Sequence, residues 1–186
     1  GEIPQHILNG RMDKAEESVL WFKNLFGEDY YLEIQRHETH DPNAAQDVYP
    51  HQVTANKAIL ELARKHNIKV IATNDVHFVN AEDAEAHDRL ICLSTGKDLD
   101  DPNRMRYTKQ EWMKTTAEMN TIFSDIPEAL SNTLEIADKV EFYSIDHGPI
   151  MPTFAIPEDF GTEEEYRQKF TEQDLFDEFT RDENGN

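Results

Sequence analysis

The sequence predicts a helix-rich α/β fold built around a strand–helix–strand unit. Asp29–Arg36 is aromatic and β-branched, with polar residues in alternation, which is typical of a strand with one polar face. Val53–His66 carries small and aliphatic residues along one helical stripe, and the apolar residues Val70 and Ile71 follow closely. Two strands joined through a helix normally run parallel with a right-handed crossover, so this unit predicts a parallel sheet.

Amphipathic helices are predicted on both sides of this unit. Ile3–Asn9 and Met12–Phe26 precede it, and the second of these has apolar residues at helical spacing. Ala81–Thr95 follows it and ends at Gly96, a residue type that commonly terminates helices. The segment between the first strand and its helix is polar and bounded by proline, which predicts a loop.

The last third of the chain divides into a helix, a connector and a terminal helix. Asp125–Glu128 has the D-x-x-E pattern of a capping box with proline in the first turn, and predicts a helix that runs to Val140. Glu141–Gly161 is interrupted by proline and glycine and predicts an extended connector. Thr162–Glu165 is a second capping box that predicts a helix, followed by a polar, frayed end at 180–186. The expected division is therefore 1–140 and 141–186.

Composition and charge restrict the function classes. The chain carries 18 basic against 38 acidic residues, a formal net charge of −20, and a nucleic-acid surface requires clustered Lys and Arg. This balance argues against DNA binding by the chain alone. The single cysteine, Cys92, lies in an apolar context, excludes an internal disulfide and is typical of a reducing cytoplasm. No apolar stretch approaches the ~20 residues of a membrane span, and no signal peptide is recognisable.

The central candidate site lies where the second strand ends. The apolar run stops in the polar sequence Thr73-Asn74-Asp75-Val76-His77, and on extended backbone Asp75 and His77 project to the same side. A carboxylate and an imidazole together are typical ligands of zinc, manganese or iron. The alternative is a strand-end turn in which Asp75 closes a local hydrogen bond and His77 is simply exposed. In a barrel, the polar face of the first strand, which includes Glu33, would point into a cavity, and His37 directly follows that strand. The alternative is a half-exposed strand with Glu33 in solvent.

Seven segments of the chain carry a further signal: 31–37, 72–78, 83–88, 95–97, 99–104, 126–130 and 132–137. Together they resemble the polymerase-and-histidinol-phosphatase (PHP) domain of the alpha subunits of bacterial C-family replicative DNA polymerases. The resemblance covers roughly residues 1 to 160, and each motif is modest alone but specific in combination.

The resemblance implies a distorted (β/α) barrel whose metal ligands collect at the C-terminal ends of the strands. Asp75 and His77 match the last pair of metal ligands of such a domain, and Glu33 and His37 match residues near the site. The remaining ligands are expected before Gly1, and the polymerase carboxylates beyond Asn186, so no catalytic residue is assigned here. Residues 1–140 would be the C-terminal part of the PHP domain, and 141–186 a connector and the start of the palm region.

The resemblance also implies the function and partners of a parent subunit. It would synthesise DNA with Mg²⁺, and its PHP region would be a metal-dependent, phosphoesterase-like module, as in a 3′–5′ proofreading exonuclease. DNA, a proofreading exonuclease subunit and a sliding clamp are the expected partners, and the isolated chain is expected to be inactive. Two alternatives stay open: a stand-alone PHP-type phosphoesterase, and a non-catalytic docking module for a proofreading exonuclease.

Overall fold

The computed structural model describes residues 1–153, 155, 159 and 161–180 of the chain. It divides into two compact units, Gly1–Glu141 and Phe142–Asn186. The first unit contains, in chain order, α1 (Glu2–Leu8), α2 (Met12–Phe26), β1 (Leu32–Ile34), α3 (Val48–His66), β2 (Val70–Ala72), α4 (Ala84–Thr95), α5 (Thr116–Ile122) and α6 (Pro127–Lys139). The second contains α7 (Glu163–Lys169) and α8 (Glu172–Thr180).

The two strands form a parallel sheet, as predicted. Leu32 pairs with Val70 and Ile34 with Ala72, and α3 makes the crossover between the two strands. The mixed α/β character is thus confirmed. In the described part of the chain this two-stranded sheet is the only one, so the structure does not display a barrel.

The core lies on one face of this sheet. Leu32, Ile34, Val70 and Ala72 are all buried there, because alternate residues of a strand share a face. Helices α1 and α2 pack against each other, α1 packs against α3, and α6 packs on β2. The other core residues are mainly small or aliphatic: Ile3, Ile7, Ala15, Val19, Ala55, Ile59, Leu62, Ala63, Phe123, Ile126 and Ala129.

Helix ends test the local predictions. Gly96 ends α4 in the left-handed conformation, with φ of 65°, and Asn67 ends α3 in the same way. The capping box of Thr162 and Glu165 is confirmed, since each side chain accepts the other residue's backbone N–H. The predicted capping box at Asp125 is wrong, because Ile126 is the N-cap and the Asp125 carboxylate instead accepts hydrogen bonds from Arg36.

The connector is only partly described. Residues 142–153 form neither helix nor strand, in agreement with the predicted extended segment. Positions 154, 156–158 and 160 of the connector, and 181–186 of the predicted frayed end, lie outside the described residues. None of the helices in the described ranges is long and apolar enough to cross a membrane.

Candidate functional site

The second face of the sheet carries polar side chains where the strands end, among them the predicted site residue Glu33. Glu33 and Gln35 alternate with the buried residues of β1, and Thr73 follows β2. The Thr73 hydroxyl donates to Glu33 Oε1 at 2.5 Å and accepts from Gln35 Nε2 at 3.1 Å. Glu33 is therefore tied into a polar ladder across the strands, at the edge where both strands end.

Asp75 lies directly beyond this ladder in an unusual backbone conformation. Its φ is +45°, in the left-handed region that few non-glycine residues adopt, although aspartate tolerates it better than most. The conformation turns the chain sharply after β2, and the Asp75 side chain is about half exposed, at 51%. The carboxylate therefore faces solvent and is accessible to a ligand.

His77 is oriented by the backbone of the same turn. Its Nδ1 lies 2.6 Å from the Asp75 carbonyl oxygen and must donate there, and it lies 3.9 Å from Asp75 Oδ2. The neutral ring then carries its lone pair on Nε2, which has no hydrogen-bond partner among the described residues. When a histidine binds a metal through Nε2, its Nδ1–H usually donates to a carbonyl or a carboxylate, which fixes the tautomer.

An aromatic cluster supports the other side of the His77 ring. The ring centroid lies 4.6 Å from that of Tyr107 and 5.4 Å from that of His87, and His87 also contacts Phe78. The structure places His87 beside His77, on α4.

His37 is buried rather than exposed. Gln52 holds it at two points: its Oε1 accepts the His37 backbone N–H at 2.8 Å, and its Nε2 lies 3.0 Å from Nδ1. Since Nδ1 accepts from the amide, Nε2–H donates to the Asn74 carbonyl at 3.2 Å. Both ring nitrogens are thus occupied, and burial lowers the pKa of His37, which favours the neutral ring.

The loop 108–112 supplies residues that sequence reasoning missed. The Glu111 carbonyl accepts the His77 backbone N–H at 2.8 Å, and Asn74 Nδ2 donates to the carbonyls of Gln110 and Trp112 at 2.9 and 2.8 Å. The Glu111 side chain is almost fully buried, and its Oε1 accepts from the Thr108 hydroxyl at 2.5 Å. No sequence signal joins these positions to the strand end, because more than thirty residues separate them.

A buried ion pair fixes the segment before this loop to α4. Arg104 donates to both carboxylate oxygens of Asp88, at 2.6 and 2.7 Å, and the two side chains are only 4% and 11% exposed. The fork geometry is the strongest that arginine and a carboxylate can form. It places the segment that leads to Tyr107 and Glu111 against the helix that carries His87.

Metal binding needs several ligands gathered in one place. Across the described ranges, no group of three or more His, Cys, Asp or Glu residues is placed to hold a metal ion. Asp75 and His77 offer one accessible carboxylate and one free imidazole nitrogen, which suit a divalent cation when completed by other ligands. Glu33 and His37 are engaged in hydrogen bonds beside this pair.

Comparison with known proteins identifies the chain's relatives. It is 40% identical over 177 residues to the DNA polymerase III subunit alpha of Borreliella burgdorferi, covering 94% of the chain and 15% of that protein. It is 32% identical to the same subunit of Treponema pallidum, covering 96% of the chain and 15% of the relative. It is 37% identical to the same subunit of Escherichia coli, covering 75% of the chain and 11% of that protein.

No protein-family model matches the chain. The names of the relatives nevertheless confirm the predicted resemblance to DNA polymerase alpha subunits. The chain spans only about a seventh of the length of the first two relatives. The chain therefore belongs to the family of DNA polymerase III alpha subunits, of which it represents one segment.

Proposed function

We propose that this chain is part of the catalytic alpha subunit of a replicative DNA polymerase and serves template-directed DNA synthesis within that subunit. The observation that carries the proposal is the similarity over 94% of the chain to a protein of that name. Nucleotide addition, with Mg²⁺, belongs to carboxylates outside these residues. The net charge of −20 also assigns DNA contact to other parts of the subunit.

Residues 1–140 are proposed as the C-terminal part of a PHP domain. The parallel strands with their helical crossover support this, since a (β/α) barrel is built from such units and gathers functional residues at the strand ends. Further strands would continue the sheet from other parts of the subunit. Residues 141–186 then connect the domain to the palm region.

The metal centre of this domain would take Asp75 and His77 from the chain. Asp75 offers a hard anionic oxygen, and His77 offers Nε2 because its Nδ1–H is held by the Asp75 carbonyl. Zinc, manganese or iron fit this pair of ligand types. A bound ion of this kind makes water nucleophilic near neutral pH, which suits phosphodiester hydrolysis. Asn74 and Glu111 hold the turn in place through backbone contacts.

Within the replicase, the parent subunit would work in the cytoplasm with DNA, a proofreading exonuclease and a sliding clamp. A stand-alone phosphoesterase fits less well, because the described residues supply two metal ligands instead of a full set. We therefore expect the isolated chain to be inactive. Manganese-dependent hydrolysis of bis(p-nitrophenyl) phosphate by the purified chain, lost in Asp75→Asn, would support the stand-alone alternative instead.

Immunodepletion tests the polymerase function directly. An antibody raised against the chain is used to deplete a cell extract, and primer extension on a gapped DNA template is measured before and after. We expect most of the replicative extension activity to be removed and to be recovered on the beads. Extension that is unchanged after complete removal of the antigen would overturn the proposal.

A further inference from the structure

A cavity of about 440 Å³ lies between β2, α5 and α6, apart from the Asp75–His77 turn. It is lined by the apolar residues Ala72, Met119 and Leu130, together with the polar residues Asn120 and Ser131. One cation lines it, Lys114. A cavity of this size, with both apolar and polar residues in its lining, can admit a small organic molecule.

Lys114 differs from the other lysines in its surroundings. Its Nζ lies 3.3 Å from the centroid of the Trp112 ring and donates to the Gln110 carbonyl. Within the described ranges it forms no ion pair. Lys69, in contrast, donates to both carboxylate oxygens of Glu135, at 2.7 and 2.6 Å.

Partial burial favours the neutral amine of Lys114. Loss of hydration is the main cause, and it lowers the pKa to about 8, while Glu111 and Glu118 act in the opposite direction. The ion pair with Glu135 raises the pKa of Lys69 above its ordinary value. A neutral amine keeps two N–H donors, so Lys114 can retain the hydrogen bond to Gln110 while its lone pair is free.

We infer that Lys114 is a nucleophilic lysine and an acylation site, modified by small acyl phosphates or acyl thioesters that enter the cavity it lines. Its Nζ lone pair attacks the carbonyl carbon of the donor, forming a C–N bond. The C–O bond to phosphate, or the C–S bond to the thiol, breaks, and the phosphate or thiolate leaves with the electron pair. The nitrogen is positively charged once the C–N bond has formed and loses one proton to solvent, and no oxidant or reductant is needed.

Site-resolved acetylation of the 186-residue chain tests this inference. Acetyl phosphate is added between about pH 7 and 9.5, the reaction is stopped below one acetyl group per chain, and peptides are quantified by mass spectrometry. At pH 8 we expect Lys114 to react at least about tenfold faster than Lys69, because about half of its amine is neutral there. Its rate should level off above pH 9, whereas that of Lys69 should continue to rise. Equal rates, or parallel pH profiles, would overturn the inference.

Two controls separate the cavity from the local sequence. In concentrated guanidinium chloride the preference for Lys114 should fall to near onefold, and a preference that persists there would contradict a role for the fold. In the matched variants Lys114→Arg and Lys69→Arg, the fast phase of acetylation should disappear only from the first. Its survival in Lys114→Arg would assign the reactivity to another lysine.

Discussion

At the scale of single residues, Asp75 combines a solvent-facing carboxylate with a left-handed backbone. A non-glycine residue at φ of +45° is unfavourable, and such positions cluster at functional sites. The sequence predicted that Asp75 and His77 point the same way on extended backbone. That premise is wrong, because β2 ends at Ala72 and Asp75 has a left-handed backbone, so strand alternation does not extend to these residues. The alternative of a strand-end turn agrees with this backbone, but it did not include the hydrogen bond from the His77 ring to the Asp75 carbonyl.

When no metal is bound, the stability of variants at position 75 should depend on how well the new residue tolerates the left-handed backbone conformation. We expect Asp75→Ala to be about 1 kcal/mol less stable than Asp75→Gly, because alanine pays the steric penalty of the left-handed region and glycine does not. The free energy of unfolding is measured by urea denaturation in the presence of EDTA. Equal stability of the two variants would show that the turn is not left-handed. Asp75→Asn is the better variant for testing ligand loss, since asparagine also tolerates this conformation.

The buried His37 predicts a pH dependence of stability. Burial lowers its folded-state pKa below the unfolded value of about 6.5, so the unfolded chain binds the proton more tightly. Its contribution to stability is complete above about pH 6.5 and is lost as the pH falls from there towards the lowered folded-state pKa. Between pH 7.5 and 5, unfolding free energies should fall more steeply for the wild type than for His37→Gln. Parallel curves would contradict a neutral, buried His37.

At the scale of secondary-structure elements, long amphipathic patterns were predicted well and short or tertiary features were not. The bounds of α2, Met12–Phe26, agree with the prediction because its apolar stripe and Gly27 define both ends. α3 begins at Val48 instead of the predicted Val53. Pro50, which was expected to bound the preceding loop, lies in the first turn of the helix, where proline is tolerated. β1 pairs only over Leu32–Ile34, because strand length depends on the partner strand.

The loop that supports His77 was not predictable for a related reason. It is held by the ion pair of Asp88 with Arg104 and by hydrogen bonds from Asn74 to the carbonyls of residues 110 and 112. All of these contacts join parts of the chain that are distant in sequence. The sequence around Leu99–Arg104 shows only turn-forming residues. Asp125 illustrates the same limit, since its capping pattern is overridden by the long-range pair with Arg36.

We expect the Asp88–Arg104 pair to contribute strongly to the stability of the packing between α4 and the segment that contains Arg104. Asp88→Ala leaves a buried arginine without its carboxylate, and we expect the free energy of unfolding to fall by about 3–5 kcal/mol. The double variant Asp88→Leu/Arg104→Met should recover most of the loss, because it removes both buried charges. Glu17→Ala breaks the exposed Lys14–Glu17 pair and serves as the control, with no measurable change expected. A small effect of Asp88→Ala would show that the pair is solvated.

At the scale of the whole molecule, the chain has a core but only part of the proposed centre. In the part of the chain that the structure describes, one parallel pair of strands and the two proposed metal ligands are what a segment of a larger barrel would supply. The sequence predicted the family from combined motifs, and the relatives confirm it. The activity of the whole subunit could not be derived from these residues, because its catalytic groups are expected elsewhere.

The size of the native polypeptide tests this account most directly. Extract from the source cells is separated by denaturing electrophoresis and probed with an antibody raised against the chain. Since the chain spans 15% of a relative, we predict a band roughly seven times heavier than its 21.6 kDa. A single band near 21.6 kDa would contradict the account, because the missing ligands and polymerase carboxylates would then have to come from a separate polypeptide.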